Sequence, residues 1–176
     1  GVQTCALPIY AASMWAVSVP ETVRRSYNNI CIYRQNYPHR FFPGSADVDG
    51  FDVGMDHNLH WSLKAGEKVP GDFFEKIRRH PLSEENARHD RPRLATGSLA
   101  ADPLFVRLTE DRNIVNDYRL QDGSPAIAKG RVLPEGWPDP LRPENGEAPD
   151  IGAIPFEGEQ LRVGIEGRVV AGDVAL

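Results

Sequence analysis

Short apolar stretches, separated by polar residues, glycine and proline, are the dominant pattern of the chain. Alternating or β-branched runs predict strands at 13–19, 29–33, 58–62, 104–106, 118–120 and 161–170. The 16 glycines and 15 prolines are frequent enough to interrupt the chain between these runs. The pattern therefore predicts short strands rather than long regular elements.

Apolar residues at helical spacing predict one helix at 72–80, with Asp72 in a suitable position to cap its N-terminus. The residues expected on its buried face are Phe73, Phe74 and Ile77. Pro81 is expected to end this helix, and a second, weaker helix is expected to begin at Ser83. We expect the first helix to pack its apolar face against the strands.

Polar residues open three of the predicted strands in a similar way. Asn29, Asn58 and Asp102 each stand just before an apolar run. Similar residues at equal positions are typical of stacked coils, in which asparagine side chains hydrogen-bond along the stack. This interpretation predicts a core that includes Ile30, Ile32, Leu59, Trp61, Leu104 and Phe105.

Composition narrows the class of protein. The 176 residues suit about one domain, and 40% hydrophobic residues are enough to build a core. A balance of 20 basic and 25 acidic residues gives a net charge of -5, without a basic stripe that alternates with aromatics, so nucleic-acid binding is disfavoured. No apolar run approaches the roughly 18 residues that a membrane-spanning helix needs. Cys31 lies in an apolar run, as a buried thiol usually does.

Four motifs together resemble a known family. They are Asn28-Asn29-Ile30, Asp56-His57-Asn58-Leu59-His60-Trp61, Ala101-Asp102-Pro103-Leu104-Phe105-Val106 with the segments at 117–120 and 123–127, and Pro149-Asp150-Ile151-Gly152-Ala153. In this order they resemble the C-terminal portion of secreted bacterial right-handed parallel β-helix proteins of the pectin-lyase-like type. The chain departs from that pattern at Ala128-Lys129-Gly130, where the family often has an acidic residue.

The resemblance implies a mainly β fold with one or two short helices, namely the C-terminal coils and cap of a right-handed parallel β-helix. Residues 1–9 resemble a translated sequencing adapter, so we expect them to be non-native and to make few contacts. Residues 10–154 would form the coils, and residues 155–176 a closing strand, cap and tail. Upstream coils of the same chain are expected to be missing before Tyr10.

Two loops carry candidate sugar-binding residues. Aromatic rings stack on sugars and an arginine fork binds a uronate carboxylate, so a loop that combines them is a candidate glycan site. The candidates are Tyr37, His39, Arg40, Phe41, Phe42 and, in a second, proline-rich loop, Trp137. The alternative is that the phenylalanines fold back over the neighbouring strands and the proline-rich loop packs against the end of the fold.

The densest group of carboxylates is a candidate Ca²⁺ site, because hard cations bind several oxygen ligands. Its members are Asp47, Asp49 and Asp52. Their spacing does not fit an EF-hand, and a solvated turn is the alternative. His57 and His60 are three residues apart, which places them on opposite faces of a strand, so we expect separate structural roles rather than a shared metal.

The resemblance implies a secreted or cell-surface bacterial protein associated with polysaccharide, in which this chain supplies structural coils and a cap. An enzymatic role remains open: a polysaccharide lyase or glycoside hydrolase could place part of its cleft here, and a glycosidase needs two opposed carboxylates. A third interpretation is a non-catalytic adhesin or glycan-binding module. No local signature of a phosphate loop or a nucleophile elbow supports other mechanisms.

Overall fold

The computed structural model describes residues 7–8, 23–38, 48–111, 113–134, 136 and 147–159. Its elements, in chain order, are β1 (Leu7–Pro8), β2 (Val23–Tyr27), β3 (Ile30–Tyr33), β4 (Asp52–Asp56), β5 (Leu59–Ser62), α1 (Phe73–Arg78), α2 (Pro81–Arg88), β6 (Leu99–Ala100), β7 (Phe105–Arg107) and β8 (Asp117–Leu120). The strands predicted at 13–19 and 161–170 lie outside the described residues.

The strands form three separate sheets. The largest has the order β1-β3-β5-β6 and is parallel throughout, with Ile30 opposite Leu59 and Leu59 opposite Leu99. A second parallel sheet pairs β2 with β4, and β7 pairs with β8 in an antiparallel hairpin. The chain therefore alternates between the two parallel sheets from β1 to β5, so that β2 and β3 belong to different sheets although they follow each other in sequence.

The prediction of a right-handed parallel β-helix is wrong. The described strands are two to five residues long, they fall into one four-stranded and two two-stranded sheets, and two helices interrupt them without a closed solenoid. The repeated asparagine pattern reflects real parallel pairing between neighbouring segments. It does not continue along the chain, because the helices and the antiparallel hairpin are not copies of the first segments.

Two of the residues 1–9 are described, and they depart from expectation. Leu7 and Pro8 pair in parallel with Cys31 and Ile32 of β3, so at least this part of the segment joins the four-stranded sheet. The expectation that residues 1–9 make few contacts is therefore wrong for these two residues.

Apolar residues pack on both faces of the four-stranded sheet, because successive side chains of a strand point to opposite sides. On one face Cys31 and Tyr33 of β3 join a cluster with β4 and the helices. On the other face Ile30 and Ile32 pack with residues from the hairpin and the segment that follows it. The members of this second cluster outside β3 include Leu59, Phe105, Leu120, Ala126 and Ile151.

Most of the predicted core residues lie in this second cluster. Those that are buried as predicted are Ile30, Ile32, Leu59 and Phe105. Trp61 is partly buried against the same cluster. Leu104 is 37% exposed, because it has a positive φ and lies in the turn just before β7 begins.

Two short helices follow β5. Phe73 and Ile77 of α1 are buried as predicted, with Phe74 packed beside them. Asp72 stands at the N-cap position but makes no capping hydrogen bond, and its carboxylate pairs instead with Lys76 at 2.7 Å. The first helix ends at Arg78, two residues before the predicted end, and Pro81 begins the second helix, because its missing N–H is not needed in a first turn. The second helix thus starts earlier than the predicted Ser83.

Amide side chains connect the segments that lead into β3 and β5. The Asn58 Oδ1 atom accepts hydrogen bonds from the backbone N–H and the Nδ2 atom of Asn29, both at 3.0 Å. Asn58 in turn donates from Nδ2 to the Ser26 carbonyl oxygen, and its backbone N–H donates to Ser98 Oγ. The predicted hydrogen bonding between stacked asparagines is confirmed. We refer to Asn29, Asn58 and Ser98 as the polar ladder.

A buried histidine lies on the face of the four-stranded sheet that carries Cys31 and the first core cluster. His60 is 1% exposed, its Nδ1 atom is 2.8 Å from the Tyr33 hydroxyl, and the rings of Phe73 and Phe74 pack against it edge-on. Burial lowers the pKa of His60 to about 3 and raises the pKa of Tyr33 well above its usual value. The folded protein therefore keeps His60 neutral under all mildly acidic conditions.

This burial makes stability depend on pH. The unfolded chain protonates His60 below a pKa of about 6.5 and the folded chain does not, so the unfolded state gains protons as the pH falls. The free energy of unfolding should be highest above that pH and fall towards the folded pKa of about 3. We expect a slope of roughly 1.4 kcal/mol per pH unit between about pH 6 and 5, measured by urea denaturation.

His60→Gln should remove a large part of this slope, and half-buried His80, whose pKa burial also lowers, accounts for part of what is left. A wild-type free energy of unfolding that is flat between about pH 6 and 5 would contradict a buried neutral His60.

Candidate functional site: an arginine groove

A small groove lies on the outer face of the β2–β4 sheet. Residues that line it include Arg25, Tyr27, Asp52, Gly54, Arg91 and Arg131, and we call it the arginine groove. Its cavity has a volume of about 50 Å³. Since a cavity needs roughly 10–15 Å³ to hold one water molecule, this one can hold a few waters or one small oxyanion, but not a sugar ring.

Strand alternation explains why polar groups meet here. Val53 and Met55 of β4 are each 1% exposed and face the core. Asp52 and Gly54, which alternate with them along the strand, face the other way. The parallel register then places Arg25 beside Gly54 and Tyr27 beside Asp56.

The side chains of Tyr27 and Arg25 pass directly over the backbone of Gly54. A Cβ atom at Gly54 would lie 2.1 Å from Tyr27 Oη and 2.6 Å from Arg25 Cδ. A glycine inside a strand often marks such a close approach. The floor of the groove therefore depends on the absence of a side chain at this position.

Asp52 holds two of the arginines in place. Its Oδ2 atom is 2.7 Å from Arg25 Nη2, and its Oδ1 atom is 3.3 Å from Arg91 Nη1. The hydrogen bond from Arg25 lowers the pKa of Asp52 despite its partial burial. Both arginines also donate to backbone carbonyls, Arg25 to Asp52 and Arg91 to Phe51. The result is a fixed pair of guanidinium groups that share one carboxylate.

Arg131 adds a cation from a distant part of the chain. Its guanidinium carbon lies 4.9 Å from the centroid of the Tyr27 ring, in a cation–π contact. Among the residues that the structure describes, no carboxylate forms an ion pair with Arg131. Burial raises the pKa of Tyr27, and the charges of Arg131 and Arg25 act against this rise.

The remaining charges near the groove are already paired. Arg93 forms an ion pair with Glu84. Asp56 is 3% exposed and accepts hydrogen bonds from the backbone N–H groups of His57 at 2.9 Å and Gly97 at 2.6 Å, and from the Thr96 hydroxyl at 2.6 Å. Asp56 is therefore a structural carboxylate, and the excess positive charge of the groove resides on Arg25, Arg91 and Arg131.

One wall of the groove is the segment that follows α2. This segment and the last turns of α2 bind the outer edge of β4: Asn86 Nδ2, from α2, donates to the Val53 carbonyl oxygen at 2.6 Å, and the Ala95 N–H, from the segment, donates to the Met55 carbonyl oxygen at 2.8 Å. An uncovered strand edge would expose these carbonyls to pairing with another chain. The same segment carries Arg91 and so fixes that arginine beside Asp52.

Of the predicted sugar-binding residues, Tyr37 is described, and it is buried rather than open to a ligand. It is 2% exposed, and its ring packs against Phe73 with 5.1 Å between centroids. The other predicted members lie outside the described residues: His39, Arg40, Phe41, Phe42 and Trp137.

The predicted metal ligands are not brought together in the described part of the chain. Asp49 lies in the turn before β4 and Asp52 is bound by the two arginines, while Asp47 is outside the described residues. Within the described ranges, no group of three or more His, Cys, Asp or Glu side chains is placed to hold a metal ion. The two histidines have separate roles, as predicted, because His60 is in the core and His57 packs against Gly97.

The sequence did not predict the arginine groove. Its three cations stand at positions 25, 91 and 131, too far apart in the chain to form a motif. Two local signals were available: the alternation of β2, which puts Arg25 and Tyr27 on one face, and a glycine between the apolar residues Val53 and Met55.

Comparison with known proteins gives no match: no protein-family model, curated protein or solved structure is significantly similar to this chain. In the described part of the chain, neither helix has the length and apolar character needed to cross a membrane. Inferences about function therefore depend on the geometry of the groove.

Replacing Gly54 with Ala tests the packing of the groove floor. The new Cβ would overlap Tyr27 Oη and Arg25 Cδ, so both side chains would have to move. We expect the free energy of unfolding, measured with urea, to fall by about 1–3 kcal/mol. Gly71→Ala is the matched control, because a Cβ there meets no atom within 4 Å. Equal stability of the two variants would show that Tyr27 does not lie across Gly54.

Proposed function

We propose that this chain is a non-catalytic binding module for acidic polysaccharide, and that one sugar carboxylate at a time binds in the arginine groove. The observation that carries the proposal is Arg131, a guanidinium at the groove with no carboxylate partner among the described residues. It stands beside Arg25 and Arg91, which have one carboxylate, Asp52, between them. A further anion would balance this charge.

Guanidinium groups favour an oxyanion with planar, paired acceptors. The arginine fork donates two parallel hydrogen bonds to a carboxylate, and its charge does not titrate. Arg25 and Arg91 are held by Asp52 and backbone carbonyls, so little side-chain entropy is lost when a ligand binds. The groove is thus preorganised for an anion.

Charge density favours an acidic glycan over nucleic acid. The chain as a whole carries a net charge of -5, so a densely charged polymer would be repelled outside the groove. Duplex DNA has one negative charge per about 1.7 Å of axis, whereas a uronate polymer has at most one carboxylate per sugar ring. The small cavity suits single carboxylates that are spaced along a ligand.

The carboxylates of the groove favour binding over hydrolysis. A glycosidase requires one carboxyl group that can donate a proton and a second that acts as base or nucleophile. Arg25 lowers the pKa of Asp52, so this group stays ionised and is a poor proton donor. Asp56 is buried and occupied by backbone and hydroxyl donors. A secreted or cell-surface location goes with this proposal, because that is where such polysaccharides occur.

Isothermal titration calorimetry with trigalacturonate tests the proposal, with the fully methyl-esterified trisaccharide as a matched neutral ligand. We expect the acid to bind and the ester not to bind. Arg131→Ala should weaken binding about ten- to a hundredfold, since a hydrogen bond to a charged group contributes about 1.5–3 kcal/mol.

Arg79→Ala is the matched protein control, because Arg79 is an exposed arginine on the surface of the helical region, paired with Glu75. It should bind like the wild type. Equal binding of acid and ester, or equal losses in the two variants, would contradict the proposal. Inorganic phosphate that competes as strongly as the trisaccharide would instead identify a phosphate ligand.

A further inference from the structure

Asn28 makes two hydrogen bonds to the backbone of a single distant residue, Arg131. The Asn28 Oδ1 atom accepts from the Arg131 N–H at 2.7 Å, and the Asn28 Nδ2 atom donates to the Arg131 carbonyl oxygen at 2.9 Å. Both backbone groups of Arg131 are thereby bound by one side chain. The orientation of the Asn28 amide is settled by this pair, because one partner is a donor and the other an acceptor.

The backbone of Asn28 is fixed as well. Its φ is 60°, in the left-handed region that asparagine tolerates better than most residues. Its N–H donates to the His57 carbonyl oxygen at 3.0 Å, and its carbonyl oxygen accepts from the Gly152 N–H at 2.9 Å. Asn28 follows directly after Tyr27, the ring on which the Arg131 guanidinium lies.

The residue before Arg131 allows this close approach. A Cβ atom at Gly130 would lie 3.1 Å from Asn28 Cγ and 2.7 Å from the Pro149 carbonyl oxygen. Glycine therefore lets the segment that carries Arg131 lie directly against Asn28. The chain from 128 to 131 belongs to no strand or helix, and besides Asn28 it is held by hydrogen bonds from the Gly130 N–H to the Pro149 carbonyl oxygen and from the Ala128 N–H to Asp150 Oδ1.

We infer that Asn28 is a positioning residue, which holds Arg131 over Tyr27 and thereby sets the affinity of the arginine groove for carboxylates. The part that concerns affinity rests on the proposed function. The part that concerns position does not, because it can be measured without any ligand.

The ligand-free test uses the ring current of Tyr27. Arg131 side-chain protons that lie over an aromatic face should show upfield NMR shifts, and Tyr27→Leu should remove these shifts. Asn28→Gly keeps the left-handed backbone conformation accessible and deletes both hydrogen bonds. We expect this variant to lose the upfield shifts. If they persist, Asn28 does not position Arg131.

The ligand test is a double-mutant cycle with trigalacturonate. Asn28→Gly should weaken binding about tenfold, which is the effect of losing one charge-assisted contact. In an Arg131→Ala background, the same substitution should cause no further loss of affinity. Equal weakening in both backgrounds would mean that Asn28 acts through general stability and would overturn the inference. Asn113→Gly, at an exposed position, should leave the affinity unchanged.

Two further outcomes are distinguishable. If the wild type does not bind the trisaccharide but the ring-current shifts behave as expected, the proposed function fails while the positioning role stands. If Asn28→Gly does not fold, Asn28→Asp replaces it, since Asp also tolerates a positive φ and keeps the acceptor for the Arg131 N–H. We expect the Asp variant to retain the upfield shifts, and their loss would contradict the inference.

Discussion

Where the chain passes from one sheet to the next, backbone N–H and C=O groups have no partner in a neighbouring strand. The rest of the structure depends on other groups that hydrogen-bond to them there. A buried N–H or C=O group without a partner costs about 1–3 kcal/mol. The polar ladder supplies the partners at these places: Asn58 Oδ1 binds the Asn29 N–H, and Ser98 Oγ binds the Asn58 N–H. Side-chain oxygens thus accept the backbone hydrogen bonds at the points where strand pairing ends.

The ladder also fixes the geometry of the arginine groove. Because Asn58 Nδ2 binds the Ser26 carbonyl oxygen, the end of β2 is tied to the turn that follows β4. This bond reinforces the register that sets Arg25 beside Gly54. Asn28, which directly follows β2, binds the backbone of Arg131, a residue distant in the sequence. Structural asparagines therefore position the cations that we propose bind a carboxylate.

The sequence predicted local features better than their arrangement. The strand at Ile30–Tyr33, the buried face of α1 and the pairing of Asn29 with Asn58 follow from short-range patterns of apolar and amide residues. Strands β2 and β4 were missed, because arginines and aspartates occupy their outer faces and hide the alternation. The dense aspartates were a candidate Ca²⁺ site with a solvated turn as the alternative, and the spacing gave no sign that one of them, Asp52, pairs with two arginines.

Long-range features could not be predicted from spacing. The groove combines Arg25, Arg91 and Arg131, which only the fold brings together. The solenoid prediction extended the real parallel pairing of the described strands β1 to β6 to the whole chain, although the helices and the hairpin after β5 do not repeat the pattern. A helix pair and an antiparallel hairpin there bury their own apolar residues, including Ile77 and Phe105, in the two core clusters.

Hydrogen exchange of the Asn29 amide tests the central claim most directly. Its N–H donates to a side chain, Asn58 Oδ1, rather than to a strand. If the polar ladder is integral to the fold, this amide should exchange as slowly as the Leu59 amide, which donates to the Asn29 carbonyl oxygen within the sheet region. The exposed Asn113 amide, bound to Asp111 Oδ1, provides the fast reference. Exchange of Asn29 as fast as Asn113, with Leu59 still protected, would contradict the account.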